Sequence, residues 1–285
     1  MKDSDKQNDS EKKTDSNKHQ HHMHSLLARE SLLDKNVMAS TETPVVRMLP
    51  NAHVVKIGGR SIIEAGKDIV LPVIDRLGKE LQKHKLILGV GCGARSRHVF
   101  SVGLDLGLPT GVLAELSTAD ALGNAHILGT LLASHGVVAI PPAMFGHLLP
   151  LFINSVPGVI FNGVPPFSLW EHPPAIGRIP AHRTDTGCVM LAECFGCQSA
   201  ILVKDVKGLY TDDPKLNPDA EFIARISVAE LRALNLKTLP FDEVLLDVLE
   251  TARLVKQFQL VDGRDPDNIS RALRGEHAGT IVYVD

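Results

Sequence analysis

The sequence predicts an α/β fold on a mainly parallel sheet, and three observations predict it. Short aliphatic runs end in glycines at Val54–Gly59, Lys85–Gly93 and Val159–Gly163. Behind the first of them, Ile69, Val70, Val73, Ile74, Leu77 and Leu81 recur at helical spacing. Strands then alternate with helices to the end of the chain, the order that parallel strands with helical crossovers require. The 285 residues are 44% hydrophobic and 22% charged, enough for a sizeable core in one large domain or two small ones.

Composition removes several function classes. A net charge of -3 gives no electrostatic footprint for nucleic acid. No apolar run approaches the about 20 residues of a membrane span. The polar N-terminus lacks the apolar core of a signal peptide, so the expected location is cytoplasmic. Cys92, Cys188, Cys194 and Cys197 need form no disulfides in such a chain. The Cys194-x-x-Cys197 pair has no second pair or histidine at zinc-finger spacing, and packing near a helix end is expected.

Residues 1–24 alternate lysines and acids with Ser, Asn and Gln, and they carry His19, His21, His22 and His24. Such a segment cannot bury enough apolar surface to order itself, so a disordered polar tail is expected. Leu26, Leu27, Leu32 and Leu33 suggest a short docking helix within 25–48. The domain proper then starts at about residue 49.

In Val54-Val55-Lys56-Ile57-Gly58-Gly59-Arg60 a buried strand runs into a lysine and a Gly-Gly turn, with a helix expected behind it. Glycines let backbone approach a ligand closely, and a helix N-terminus offers N–H groups to phosphate. Lys85–Gly93 repeats the arrangement, followed by a helical stretch with Arg95, Arg97 and His98. Arginine forks suit anionic oxygens. A long helix is predicted over 119–135 and short strands at Val137–Ile140 and Val159–Gly163. Residues 164–183 read as a proline-rich functional loop carrying Trp170, Glu171, His172, His182 and Arg183. Asp185, in Arg183–Gly187, falls near a helix N-terminus, where it could cap the helix or act in a site. Ala200–Val203 is the next strand, and Lys204–Pro214 a polar turn in which Val206, Leu209 and Tyr210 could form an apolar slot. Two helices (Val228–Leu234, Val244–Leu254), a strand at Gln259–Gly263, a short helix (Ile269–Leu273) and a final strand at 279–282 complete the chain.

Several motifs occur in one order: Lys-x-Gly-Gly at Lys56–Gly59, the glycine turn at Gly89–Arg97 and Thr184-Asp185-Thr186. Gly208–Pro214 and Arg271–Thr280 follow. The set resembles the amino acid kinase superfamily, near the bacterial uridylate kinases, over roughly residues 50–285. Segments 94–109, Pro165–Trp170, Ile179–Gly187 and Gly275–Ile281 resemble the molybdenum storage proteins, and the Ser168-Leu169-Trp170 stretch resembles the β subunit more than the α.

The resemblance implies a three-layer sandwich with a mainly parallel central sheet. It implies an acceptor and oligomerisation half over about 49–190 and a nucleotide-binding half over about 191–285. Position by position, Lys56, Gly58 and Gly59 match the ATP-phosphate loop, and Gly91, Gly93 and Arg97 the loop facing an acceptor phosphate. Asp185 matches the acidic residue beside the transferred phosphate and magnesium. Lys204, Asp205, Tyr210 and Asp213 fall where the family meets the nucleotide. Lys56 and Asp185 are thus the expected catalytic pair, with ATP and Mg2+ as expected cofactors. Lys204 and Lys207 stand where uridylate kinases usually have threonine and aspartate. Ser168-Leu169-Trp170 replaces the three histidines of the storage α chain, which leaves His147, His172 and His182 as candidate oxometalate ligands. The implied function is a storage subunit that couples ATP hydrolysis to uptake of molybdate or tungstate. The implied partners are copies of itself or a paralogous α-type subunit in a hexameric cage. The alternatives are a UMP kinase and a non-catalytic structural subunit.

Overall fold

The computed structural model describes residues 46–164, 183–214 and 216–284. Its strands are β1 (Ala52–Ile57), β2 (Lys85–Val90), β3 (Val137–Ala139), β4 (Gly158–Phe161), β5 (Ser199–Lys204), β6 (Leu209–Tyr210), β7 (Phe222–Ile223), β8 (Arg225–Ser227), β9 (Gln257–Asp262) and β10 (Gly279–Tyr283). Its helices are α1 (Lys67–Glu80), α2 (Arg95–Asp105), α3 (Thr110–Leu132), α4 (Phe145–Ser155), α5 (Thr184–Phe195), α6 (Val228–Leu234), α7 (Leu245–Thr251) and α8 (Asp267–Leu273).

Every residue of β1 is buried, as a strand covered on both faces must be. It lies inside one sheet of order β3-β4-β2-β1-β5-β9-β10-β8. From β3 to β9 all pairings are parallel; β10 runs antiparallel to β9, and β8 parallel to β10. Alternate residues feed two separate cores. Val54, Ile87, Leu202 and Leu260 pack with α4, α5, α6 and α7. Val55, Leu88, Val203 and Val261 pack with α1, α3 and α8. The result is the three-layer sandwich. Parallel pairing brings the C-terminal ends of β1, β2 and β5 to one edge, where such sheets bind ligands.

The structure differs from the sequence reading in several places. No helix follows Gly58-Gly59 directly: the chain passes through a 3₁₀ turn at Ile63–Ala65, and α1 begins only after Gly66, whose φ of 90° suits glycine. The helix expected over 119–135 begins at Thr110, because Pro109 supplies an extended residue just before it. Helix α4 was not expected; it contains Pro150, a residue that argues against a helix interior. The hairpin β6–β7 and strand β8 are too short for a periodic signal. Cys197 is buried as expected, whereas Cys194 is exposed.

The polar tail, most of the docking segment and the proline-rich loop lie outside the described residues. Of the docking segment, Met48 and its neighbour Leu49 donate their backbone N–H groups to Phe195 O at 3.0 and 2.9 Å. No helix among the described residues is long and apolar enough to cross a membrane.

Leu128, fully buried in the C-terminal part of α3, tests the α1–α3 layer. Leu128→Ala is expected to lower the urea-unfolding free energy by about 2–5 kcal/mol, because the facing helix and sheet cannot close the cavity.

Candidate functional site

Strand alternation decides which lysines can meet. Lys56 follows Val54 onto the α5 face of the sheet, at the last turn of β1 before Gly58. Lys204 follows Leu202 onto the same face at the end of the adjacent β5. Asp185 stands in the first turn of α5 and comes down between them. Lys56 Nζ lies 2.6 Å from Asp185 Oδ1, and Lys204 Nζ lies 2.6 Å from Oδ2. Lys56 and Asp185 are buried, and Lys204 keeps 14% of its side chain exposed.

Asp185 therefore does not cap its helix. Arg183 holds the N-cap position, and its side chain makes no capping hydrogen bond. The helix N-terminus is instead fastened by Asp242, a buried carboxylate far along the chain. Asp242 Oδ2 accepts from Thr186 N and Thr186 Oγ1, both at 3.3 Å, and Arg183 Nε lies 3.0 Å from Oδ1.

The glycine turns close over the lysines. A Cβ on Gly59 would lie 2.4 Å from both Gly91 O and Gly93 N, so the two turns touch at a distance only glycine permits. A Cβ on Gly91 would come within 3.3 Å of Lys56 Nζ. Gly93 adopts a φ of 88°, and Asn124 on α3 holds the turn from behind by donating Nδ2 to Gly91 O at 2.8 Å. The N–H groups of Gly59 and Arg60 meet no protein acceptor among the described residues, which suits a phosphate cradle.

These parts form one end of a cleft of about 980 Å³. Lys56, Gly58, Gly59, Gly91, Gly93, Arg97, Asp185, Lys204, Asp205, Tyr210 and Asp213, all named from the sequence, line it together. The volume suits a nucleotide. His147 falls in α4 with its side chain outside the described atoms, and His172 and His182 lie outside the described residues. Sequence reasoning missed Asp242, which carries no local motif, and it noted Arg183 only as a loop residue. Arg264 also lines the cleft, held by Asp262 through Nε and Nη2 at 2.9 and 2.7 Å.

The electrostatics follow from burial against pairing. Burial pushes Asp185 up, but Lys204 and Lys56 outweigh it and hold the carboxyl well below the usual range. Burial alone would lower Lys56; Asp185, with Asp242, lifts it above its ordinary value instead. For Lys204 burial wins: with the repelling charge of Lys56 it brings the ammonium down to about 8, against the pull of Asp185. Burial and then the charge of Asp185 push Asp242 up. Burial pushes the Cys92 thiol, on the second glycine turn, up to about 11, so it faces the cleft neutral.

Magnesium would meet Asp185 here, whose buried Oδ1 carries an ion pair to Lys56 but no hydrogen bond among the described residues. Each oxygen of Asp185 and Asp242 already has a cation or an N–H or O–H donor within 3.3 Å. Among the described residues no three His, Cys, Asp or Glu side chains converge to hold a metal ion. Asp185 as found is the partner of two lysines.

Residues 51–254 match the sequence profile of the amino acid kinase family. The chain belongs to the amino acid kinase family. It is 45% identical over 258 residues to the molybdenum storage protein subunit beta of Azotobacter vinelandii, covering 90% of this chain and 95% of that protein. It is 31% identical over 244 residues to the uridylate kinase of Thermofilum pendens, covering 80% and 96%. Among solved structures, the uridylate kinase of Archaeoglobus fulgidus superposes with a TM-score of 0.62 at 21% identity, covering 81% of this chain and 99% of that one. That likeness shows the fold, and it agrees with the mainly parallel sandwich. The fold and the family expected from the motifs are thus both found.

Two measurements test the site as an anion seat. Lys204 is charged below about pH 8 and neutral above it, so affinity for a non-hydrolysable ATP analogue is expected to be full at pH 7 and to fall as pH rises through 8. Lys204→Met should bind more weakly and without that fall, as followed by calorimetry. Asp185→Asn leaves two buried ammonium groups facing each other, and chemical denaturation is expected to show a loss of about 3–5 kcal/mol.

Proposed function

We propose that this chain is a nucleotide-binding subunit of a molybdenum storage assembly, in which ATP hydrolysis accompanies the uptake of molybdate or tungstate. One observation carries the reading. A chain 45% identical to a molybdenum storage subunit over 90% of its length buries a Lys56–Asp185–Lys204 unit where two glycine turns meet, at the end of a nucleotide-sized cleft. Phosphoryl transfer asks a protein for little beyond positioning and positive charge around the phosphates.

In this reading the triphosphate enters over Gly58 and Gly59, and Lys56 and Lys204 neutralise the charge that grows on the bridging and γ oxygens. Asp185 keeps both ammonium groups aimed and prevents their mutual repulsion. The rim from Asp205 to Asp213, with Tyr210, carries the nucleoside, in keeping with a nucleotide-binding second half from about residue 191. In hydrolysis the bond between the γ phosphorus and the β–γ bridging oxygen breaks as a water oxygen bonds to that phosphorus. ADP, inorganic phosphate and a proton leave. Magnesium bound to the phosphates would add neutralising charge beside Asp185. Molybdate is a tetrahedral dianion like phosphate, which makes a phosphate-seating cleft a sensible frame for it. Copies of this chain or a paralogous α-type subunit, in a hexameric cage, would enclose the cargo.

A second reading is favoured by the second glycine turn with Arg97 and by the 31% identical uridylate kinase: transfer of the γ-phosphate to UMP. Incubation with Mg-ATP and molybdate, followed by gel filtration and elemental analysis, separates the two. The expected result is retained metal in large excess over chains, with ADP and phosphate formed and no UDP from UMP. UDP formation without retained metal would establish the kinase instead. Lys56→Ala should cut ATP turnover at least about 100-fold, since it removes a charge aimed at the transferred group; unchanged turnover would exclude Lys56 from the reaction.

A further inference from the structure

Arg183 precedes α5 directly, two positions before Asp185, and it lines the cleft. Its Nε pairs with Asp242 Oδ1 at 3.0 Å. Asp242 is buried, and its other oxygen accepts from Thr186 N and Thr186 Oγ1. The carboxylate is therefore fixed from behind and fixes the guanidinium in turn. A cation present only to neutralise Asp242 would be buried with it. Arg183 instead keeps 51% of its side chain exposed, and its two Nη groups meet no acceptor among the described residues. Burial pushes the Cys92 thiol up while the charges of Lys56 and Arg183 both oppose that, so both cations lie near the second glycine turn. Two cations thus reach the cleft from the sheet, Lys56 and Lys204, and a third from the start of α5.

We propose that Arg183 is a catalytic cation for ATP hydrolysis, donating from its Nη groups to the oxygens of the γ-phosphoryl group in transit, and that Asp242 is its positioning residue. The inference rests on the ATP-hydrolysing reading above. As the γ phosphorus leaves the bridging oxygen, charge spreads over its outer oxygens. A lysine meets that charge as a point, whereas a guanidinium meets it with N–H groups in a fixed plane. A fork already held at Nε loses little freedom on meeting those oxygens, so its attraction is spent on the transition state. Arg183 stays charged throughout and exchanges no proton, and the proton from water leaves as in the step described above.

The test is steady-state ATP turnover by the full chain, wild type against Arg183→Gln, Arg183→Lys and Arg183→Ala. Calorimetric affinity for a non-hydrolysable ATP analogue and thermal unfolding are measured in parallel. All three variants are expected to lose about 100-fold or more in kcat, with analogue affinity within about threefold of wild type. Millimolar guanidinium chloride is expected to restore part of the Arg183→Ala rate, and urea at the same concentration none of it. Asp242→Asn is expected to cost more kcat in wild type than in Arg183→Ala; equal costs would remove its positioning role. Unchanged kcat with a lower unfolding temperature would make Arg183 only a partner of Asp242 and overturn the proposal. Lost analogue affinity with kcat retained would overturn it too, as would equal recovery in urea. Wild-type protein that hydrolyses ATP, with Arg183 variants that match it, sinks the role of Arg183 alone. Wild-type protein that turns over ATP only by converting UMP to UDP, or not at all, sinks the hydrolysis reading and this inference together.

Discussion

The rest of the site depends on one carboxylate holding two lysines. Buried ammonium groups facing each other are costly, and Asp185 offsets that cost by taking one on each oxygen. Two cations against one anion leave a surplus positive charge in a place with little water. That surplus suits an anionic ligand, and the carboxylate is what lets the empty protein tolerate it. The arrangement needs two adjacent parallel strands, so that Lys56 and Lys204 leave the sheet at the same edge and on the same face. It also needs a helix that starts directly above them. The sandwich supplies both, so fold and chemistry are one constraint here.

A second constraint is closeness. Gly59 lies against Gly91 and Gly93 with no room for a methyl group between them. This contact brings the turn after β1 and the turn after β2 into one surface, from which backbone N–H groups can face a ligand. Asn124 holds the second turn from the far side, and Asp242 with Arg183 and Thr186 holds the start of α5. The lysines are therefore aimed by groups that never need to touch a ligand, a property of sites that are organised before binding.

Much of this was legible in the sequence, and what was not has physical causes. The strands of the central sheet are dense aliphatic runs closed by glycines, and such runs announce themselves. Lys56, Gly58, Gly59, Gly91 and Gly93 sit at strand ends or in glycine turns, which the sequence displays, whereas the nucleotide-side residues Lys204, Asp205, Tyr210 and Asp213 came from the family resemblance. Asp242 sits in an irregular segment with no periodicity, and only the folded chain brings it to Thr186. The position of Asp185 was read correctly as a helix start, but its partners were not, because strand register decides them: Lys56 pairs with Leu202, which sets Lys204 two residues beyond it on the same face. Helix α4 carries Pro150, which reads as a helix breaker, and the short β6, β7 and β8 lacked the length that a periodic signal needs.

The storage and kinase readings ask the same things of one side of the cleft and different things of the other. Gathering a triphosphate and neutralising its leaving group needs Lys56, Lys204 and the first glycine turn, whichever acceptor follows. The acceptor is chosen on the opposite wall, between the second glycine turn and α2. Arg97 is exposed on that wall, so a phosphate monoester would meet a single exposed arginine, which competes weakly with water and salt, whereas water brings no charge to be held. The two readings therefore differ in what this wall must supply, and not in the lysines that would meet a triphosphate.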